Sequence, residues 1–325
     1  MAVLGIESTA HTFGVGICDN GRILANQKRM YPIKDRGMIP VQVANFHMRN
    51  AAAVIKDALD ESGLGANQID AVGYTKGPGL GPCLSVGHMA AKLFSARYRL
   101  PLMPVNHALG HIEITKQAFK LKDPLVLYVS GGNSQVLGLV ERPFRHYQVY
   151  GETFDIGIGN MIDNFARAAH LVPAWGSTVA KAAEHGRYFE MPYTVKGMDF
   201  TFTGLLTHAE KSLKSHSVKD TAYSLQETSF AMLCEAAERA MLLSKKKELM
   251  ACGGVAQSKR LKEMLGMMAG DHDARFFVSP NEFNADNGAM IAVVAEKMHM
   301  SGQRYGARAL TINQRYRVDT VKVTW

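Results

Sequence analysis

Two stretches of this chain repeat one local pattern, and that repeat narrows the fold more than any other feature. Val3-Leu4-Gly5-Ile6-Glu7-Ser8-Thr9 leads into Phe13-Gly14-Val15-Gly16-Ile17. Val126-Leu127-Tyr128-Val129-Ser130-Gly131-Gly132-Asn133-Ser134 leads into Gln135-Val136-Leu137-Gly138-Leu139. Each reads as a β-rich run, a small polar turn and a second β-rich run, the signature of a hairpin whose turn offers backbone N–H groups and hydroxyls. Two such hairpins imply two related lobes, and turns that faced one another would line a cleft suited to phosphates.

Helical periodicity over about 41–62 and 83–98 flanks a strand at 71–74 and the turn Lys76-Gly77-Pro78-Gly79-Leu80-Gly81-Pro82, so the class is α/β. The second half carries helical patterns at about 159–170, 177–185, 220–244 and 258–268. Glu248–Cys252 reads as a strand ending in Gly253-Gly254, a turn that lets a ligand approach the backbone and aims a helix start at it. Asp123-Pro124 marks the crossing between lobes. The expected division is 1–122 and 123–295, the second with a helical insertion, and about 296–325 returning to the first. The tail 311–325 alternates as a strand would and is expected as an edge strand or extended arm.

Of the 325 residues, 47% are hydrophobic and 20% charged, enough to bury a real core. The apolar runs are short, the start has no basic leader, and the four cysteines (Cys18, Cys83, Cys234, Cys252) form no C-x-x-C pair. A cytoplasmic protein with reduced thiols, no membrane partner and no thiolate zinc site is expected. A formal charge of +8 favours polyanionic partners such as RNA.

The sharpest local signal is His107-Ala108-Leu109-Gly110-His111. On a helix, positions i and i+4 share a face, so both imidazoles can reach one metal. It is not the H-E-x-x-H of zinc proteases, because position 108 is alanine. Asp286, in Asn284-Ala285-Asp286-Asn287-Gly288, is a third ligand or a helix N-cap. Tyr128 is a further ligand or a buried strand aromatic. Nitrogen and oxygen donors without thiolate suit iron or zinc. Ser130-Gly131-Gly132-Asn133 is a plausible phosphate cradle, and Asp155, Asn160 and Asp163 could hold sugar or phosphate groups, the loop aspartates alternatively serving as turn or cap residues. No nucleophile elbow, Ser-His-Asp order or P-loop lysine occurs.

Together these segments resemble one family, the catalytic subunit of tRNA threonylcarbamoyladenosine synthesis (TsaD/KEOPS), once labelled O-sialoglycoprotein endopeptidase. The resemblance runs through Gly5-Ile6-Glu7, the turn 77–82, Asn106 to His111, Tyr128 to Asn133, Gly151 to Asp155, Val195 to Asp199, Gln226-Glu227-Thr228, Gly253 to Ala256 and Asp286 to Ala289. It covers essentially the whole chain and looks more like the archaeal and eukaryotic branch than the bacterial one.

The resemblance implies an actin/Hsp70-like (ASKHA) fold of two RNase H-like lobes around a nucleotide cleft. It implies one divalent metal on His107, His111 and Asp286, with Tyr128 nearby. It implies ATP or threonylcarbamoyl-adenylate held by Ser130, Gly131, Gly132, Asn133, Asp163, Gly176, Gly254 and Ser258. The implied reaction moves the threonylcarbamoyl group to N6 of the adenosine beside the anticodon in tRNA, in company with a small kinase/ATPase and a small dimerising subunit. The chain departs from the family pattern at Trp175, where glycine is usual, at Ala180, where an acidic ribose ligand is usual, and at Ser258, where asparagine is usual. Ser85 and the first helix also differ. Each lost charged hydrogen bond costs roughly 1.5–3 kcal/mol. These departures motivate a second reading, a catalytically degenerate scaffold of the same fold. A kinase or the protease of the older label is a third.

Overall fold

The computed structural model describes residues 1–32, 38–306 and 309–325. They form two compact units, one of Met1–Lys120, Glu141–His146 and Ala285–Trp325, the other of Leu121–Val140 and Tyr147–Asn284.

The first unit opens with the expected hairpin: β1 (Ala2–Glu7) pairs antiparallel with β2 (Thr12–Asp19), which pairs with β3 (Arg22–Met30). Helix α1 (Pro40–Ser62) follows, started by a proline in its first turn and stopped by left-handed Gly63. Its buried residues Val43, His47, Val54 and Ala58 fall on one stripe. The chain continues through β4 (Ile69–Gly77), α2 (Gly81–Tyr98), β5 (Leu102–Asn106) and α3 (His107–Phe119). The sheet order is β3-β2-β1-β4-β5, with β4 parallel to β1 and β5 parallel to β4. All six residues of β1 are buried, as a strand covered on both faces must be.

The second unit repeats this order. Strand β6 (Leu125–Val129), wholly buried, pairs antiparallel with β7 (Ser134–Val140), and β8 (His146–Glu152) follows. Four helices come next: α4 (Ile158–Ala168), α5 (Gly176–Ala182), α6 (Thr203–Ser212) and the long α7 (Val218–Ser244). The short ribbon of β9 (Val195–Lys196) and β10 (Asp199–Phe200) lies between α5 and α6. Strand β11 (Glu248–Cys252), helix α8 (Lys259–Asp271) and strand β12 (Arg275–Val278) complete a sheet of order β12-β11-β6-β7-β8. Strand β11 is parallel to both β6 and β12. Phe165, Phe200, Phe202 and Phe230 fill its core.

After the short α9 (Asn281–Asn284), α10 (Gly288–Met300) packs on the first unit's sheet and is buried over almost its whole length. Two glycines make that approach possible. A Cβ on Gly5 would stand 2.1 Å from the Ala292 nitrogen, and one on Gly16 would stand 2.2 Å from the Ala289 nitrogen. The tail takes the extended-arm form: 309–325 contains one 3-10 turn, Val318–Thr320, and no strand. Among the described residues, no helix is long and apolar enough to cross a membrane.

Candidate active site

In the first unit, β5 delivers the chain to Asn106, whose side-chain oxygen accepts the N–H groups of Ala108 and Leu109 at 3.0 and 3.3 Å and so starts α3. His107 and His111 then lie one turn apart on the same face, their ring centroids 4.8 Å apart and nearly perpendicular. Both Nε2 atoms converge on Asp286 Oδ1, at 3.5 Å for His107 and 3.3 Å for His111. Asp286 is not the cap of α10, because Asn287 takes that role by accepting the Met290 N–H at 3.0 Å. Its carboxylate is thereby left to face the imidazoles.

The donor atoms of these three residues lie within 4.8 Å of one another. Two imidazole nitrogens and one carboxylate oxygen, with no thiolate, are a donor set that fits a divalent transition metal such as zinc or iron. The imidazoles are almost fully enclosed, while Asp286 keeps 20% of its side chain exposed and marks the open side.

Glu7 belongs to this site, although the sequence shows it only as the end of a strand. It is wholly buried, and each of its oxygens accepts two donors. Oε1 takes the Thr9 N–H at 2.7 Å and the Thr9 hydroxyl at 2.5 Å. Oε2 takes the Thr75 hydroxyl at 2.7 Å and His107 Nδ1 at 3.0 Å. With His107 Nδ1 as a donor, all four contacts are accepted by the carboxylate. Because Nδ1–H is turned toward Glu7, His107 Nε2 points at Asp286, the arrangement by which outer carboxylates orient metal-binding histidines.

Electrostatics follow this geometry. Burial works against the His107 charge, but the carboxylates of Glu7 and Asp286 outweigh it and raise the imidazole above its ordinary range. Burial lowers His111. Burial likewise disfavours the charge of Asp286, yet His107 and the hydrogen bond from His111 hold its carboxyl well below the usual range.

In the second unit, Ser130–Asn133 forms the turn between β6 and β7. It is closed by the Ser130 N–H on the Asn133 carbonyl at 2.8 Å and by the Asn133 N–H on Ser130 Oγ at 3.2 Å. The start of α4 is tied to it, with the Gly159 N–H on Ser130 O at 3.2 Å and the Asn160 N–H on Gly131 O at 2.9 Å. A Cβ on Gly132 or on Gly254 would meet nothing within 4 Å, so the backbone at both is open to approach. Tyr128 is buried near the end of β6, where a Cβ on Gly253 would stand 3.3 Å from its ring.

Asp163 lies near the Gly176 N–H, which weakly favours its carboxylate, so two of the expected nucleotide residues are neighbours. Ser258 caps α8, its hydroxyl accepting the Leu261 N–H at 3.4 Å. Asp155 takes the loop-fastening role, the second of its two sequence readings. Its carboxylate accepts the N–H groups of Ile156, Phe202 and Thr203, so it fastens the loop before α6 and does not stand ready for a sugar or phosphate.

Comparison with known proteins identifies this architecture. Residues 21–293 match the family TsaD, described as tRNA N6-adenosine threonylcarbamoyltransferase. The chain belongs to this family. A TsaD relative from Thermococcus sibiricus, described by the same words, is 43% identical with both chains covered end to end. A Thermoplasma volcanium protein described as a probable bifunctional tRNA threonylcarbamoyladenosine biosynthesis protein is 44% identical, and the match covers all of this chain and 62% of that protein. Among solved structures, HypF of T. kodakarensis superposes with a TM-score of 0.64 at 15% identity, over 93% of this chain and 48% of that one. At that identity the likeness concerns the fold alone, which is the actin-like α/β fold that the family resemblance implies.

In this TsaD chain Asp163 carries a testable signature. Its carboxyl is raised to about 6, chiefly by burial, against smaller opposing effects from Arg167 and the Gly176 N–H. An unfolded aspartate titrates near 3.8, so between those values the folded chain holds the extra proton, and stability falls as pH rises through that window. Asp163→Asn removes the charge and keeps the size of the side chain. It is expected to flatten the decline between about pH 4 and pH 6 by on the order of 2 kcal/mol, measured as urea midpoints across that range. An unchanged slope would mean that the carboxylate is not strained by its burial.

Proposed function

We propose that this chain transfers the threonylcarbamoyl group from threonylcarbamoyl-adenylate to N6 of the adenosine beside the anticodon in tRNA, with one divalent metal, iron or zinc, on His107, His111 and Asp286. The observation that carries this is the convergence of two imidazole Nε2 atoms and one carboxylate oxygen in a member of this family. A metal bound there supplies Lewis-acid polarisation of a carbonyl oxygen.

The protein's own groups do the rest. Glu7 keeps the proton of His107 on Nδ1 and the ring in register. The backbone at Gly131, Gly132 and Gly254, open at the last two, receives the phosphate of the adenylate. Asp163, beside Gly176, accepts a ribose hydroxyl. The adenosine N6 nitrogen forms a bond to the carbamoyl carbon as the bond from that carbon to the phosphate oxygen breaks. AMP leaves and the amine loses one proton. The electrophile arrives activated, so no side-chain nucleophile is needed, in keeping with the absence of a triad motif.

The formal charge of +8 supports tRNA as the partner. The word bifunctional in the description of the T. volcanium relative supports a second activity working beside this one, which we assign to a small kinase/ATPase. A small dimerising subunit completes the proposed assembly. Four free cysteines support a cytoplasmic location. Neither the relatives nor the site favours the scaffold reading.

The test is reconstitution of the chain with its partner subunits, unmodified tRNA and threonylcarbamoyl-adenylate, followed by nucleoside analysis. The modified adenosine is expected with the unaltered chain and not with Asp286→Ala. Equal modification in both would exclude this metal site, and none in either would favour the scaffold.

A further inference from the structure

Residues 309–316 have no regular secondary structure, yet they are bound across the C-terminal end of β4. The Asn313 N–H donates to Lys76 O at 2.7 Å, the Gly79 N–H to Gln314 O at 3.3 Å and the Tyr74 hydroxyl to Thr311 O at 3.1 Å. The Lys76 ammonium donates to Ala309 O at 3.0 Å and lies 5.1 Å from the centre of the Tyr316 ring. The contact is close enough to require glycine at position 77, where a Cβ would stand 1.8 Å from Asn313 O.

This strap reaches His107 by two routes. On the first, Asn106 Nδ2 donates to Tyr316 O at 2.9 Å while its Oδ1 accepts the first N–H groups of α3. One amide thus ties the strap to the helix turn that begins at His107. On the second, the turn after β4 meets Thr9, the Leu80 N–H donating to Thr9 O at 2.8 Å. Thr9 in turn fills one oxygen of the Glu7 carboxylate whose other oxygen holds His107 Nδ1. Both the backbone start and the ring orientation of His107 therefore lean on the strap.

We propose that Asn106 is a positioning residue for the metal ligands and that the strap, through Tyr316 O, fixes its amide. With Nδ2 held by Tyr316, Oδ1 can face only the start of α3. A freed amide can rotate and release that turn, and with it the aim of His107 Nε2. The inference rests on the metal reading of His107, His111 and Asp286.

Cobalt(II) alone is the probe, titrated into the full chain and followed by its visible absorption, with thermal unfolding as the control for folding. Four proteins are compared: the unaltered chain, His111→Ala, Asn106→Ser and Tyr316→Ala. Serine keeps a capping oxygen but cannot reach Tyr316 O, whereas alanine at 316 keeps that carbonyl and loosens the strap that places it by removing the ring under Lys76. Both strap variants are expected to weaken cobalt binding by about 10–100-fold and to alter the absorption band, as loss of an outer-shell partner does.

Lys76→Met, which frees Ala309 O and the Tyr316 ring, replaces either variant should it fail to fold. Cobalt affinities within twofold of the unaltered chain in both variants would overturn the proposal. Weakening in Asn106→Ser alone would make Asn106 a cap without a link to the tail and would overturn it equally. Failure of the unaltered chain to bind cobalt, or full binding by His111→Ala, would remove the metal reading itself, and the proposal with it.

Discussion

Replacing both imidazoles, His107→Ala with His111→Ala, is expected to abolish stoichiometric metal binding and to lower transfer by on the order of 10³-fold or more. That is the rate equivalent of several kcal/mol of lost charge stabilisation. The variant should still fold. Asp286 retains some exposure and can be hydrated, and Glu7 keeps the Thr9 N–H and two threonine hydroxyls after losing His107. Leaving these carboxylates less well satisfied costs about 1–3 kcal/mol each, so a thermal midpoint lower by roughly 5–15 °C is expected. Elemental analysis of the purified variant and its unfolding curve check both halves. Retained metal with lost activity would place the ion elsewhere.

Glu7→Gln should be nearly as damaging to metal binding, for a reason that charge alone does not give. The four donors around Glu7 point at two oxygens. Glutamine supplies one oxygen and one NH2, so one pair of donors must face another donor. The threonine hydroxyls can rotate away. Where the amide nitrogen faces His107, the ring can respond only by turning Nδ1 into an acceptor, which moves its proton to Nε2, the atom that faces Asp286. A neutral imidazole protonated at Nε2 cannot ligate through it. Metal affinity is expected to fall about 10–100-fold, while Glu7→Gln remains folded. Isothermal titration with zinc(II) or cobalt(II) measures it, and an unchanged affinity would show that Glu7 does not set the tautomer.

The parts of the molecule legible in the sequence were those written in short-range patterns. Both hairpins announced themselves because a strand, a polar turn and a strand are contiguous at 3–17 and 126–139. Helix α1 was bounded closely, since Pro40 starts it and Gly63 ends it within a clear apolar stripe. The pairing of His107 with His111 follows from helical spacing alone. Glu7 stayed hidden because its relation to His107 spans 100 positions and exists only once β1, β4 and β5 lie side by side.

Asp155 shows the converse. A loop aspartate can hold a ligand or fasten a turn, and amides at 202 and 203, far along the chain, decide for the second by occupying its oxygens. The alternation in the tail has no ladder to join. Its hydrogen bonds go to the β4 turn one at a time, and they include side-chain donors from Tyr74, Lys76 and Asn106 that no strand pattern encodes. The capping of α10 by Asn287 in place of Asp286 likewise turns on one residue of register, which periodicity does not resolve.

The most direct measurement is X-ray absorption at the metal edge of the purified, metal-analysed chain, with the His107/His111 double variant beside it. One metal per chain in a shell of nitrogen and oxygen only, with the outer-shell scattering of two imidazoles, is the expected result, and the double variant should lack it. A sulfur shell, or equal metal content in the double variant, would contradict a metal held by His107, His111 and Asp286.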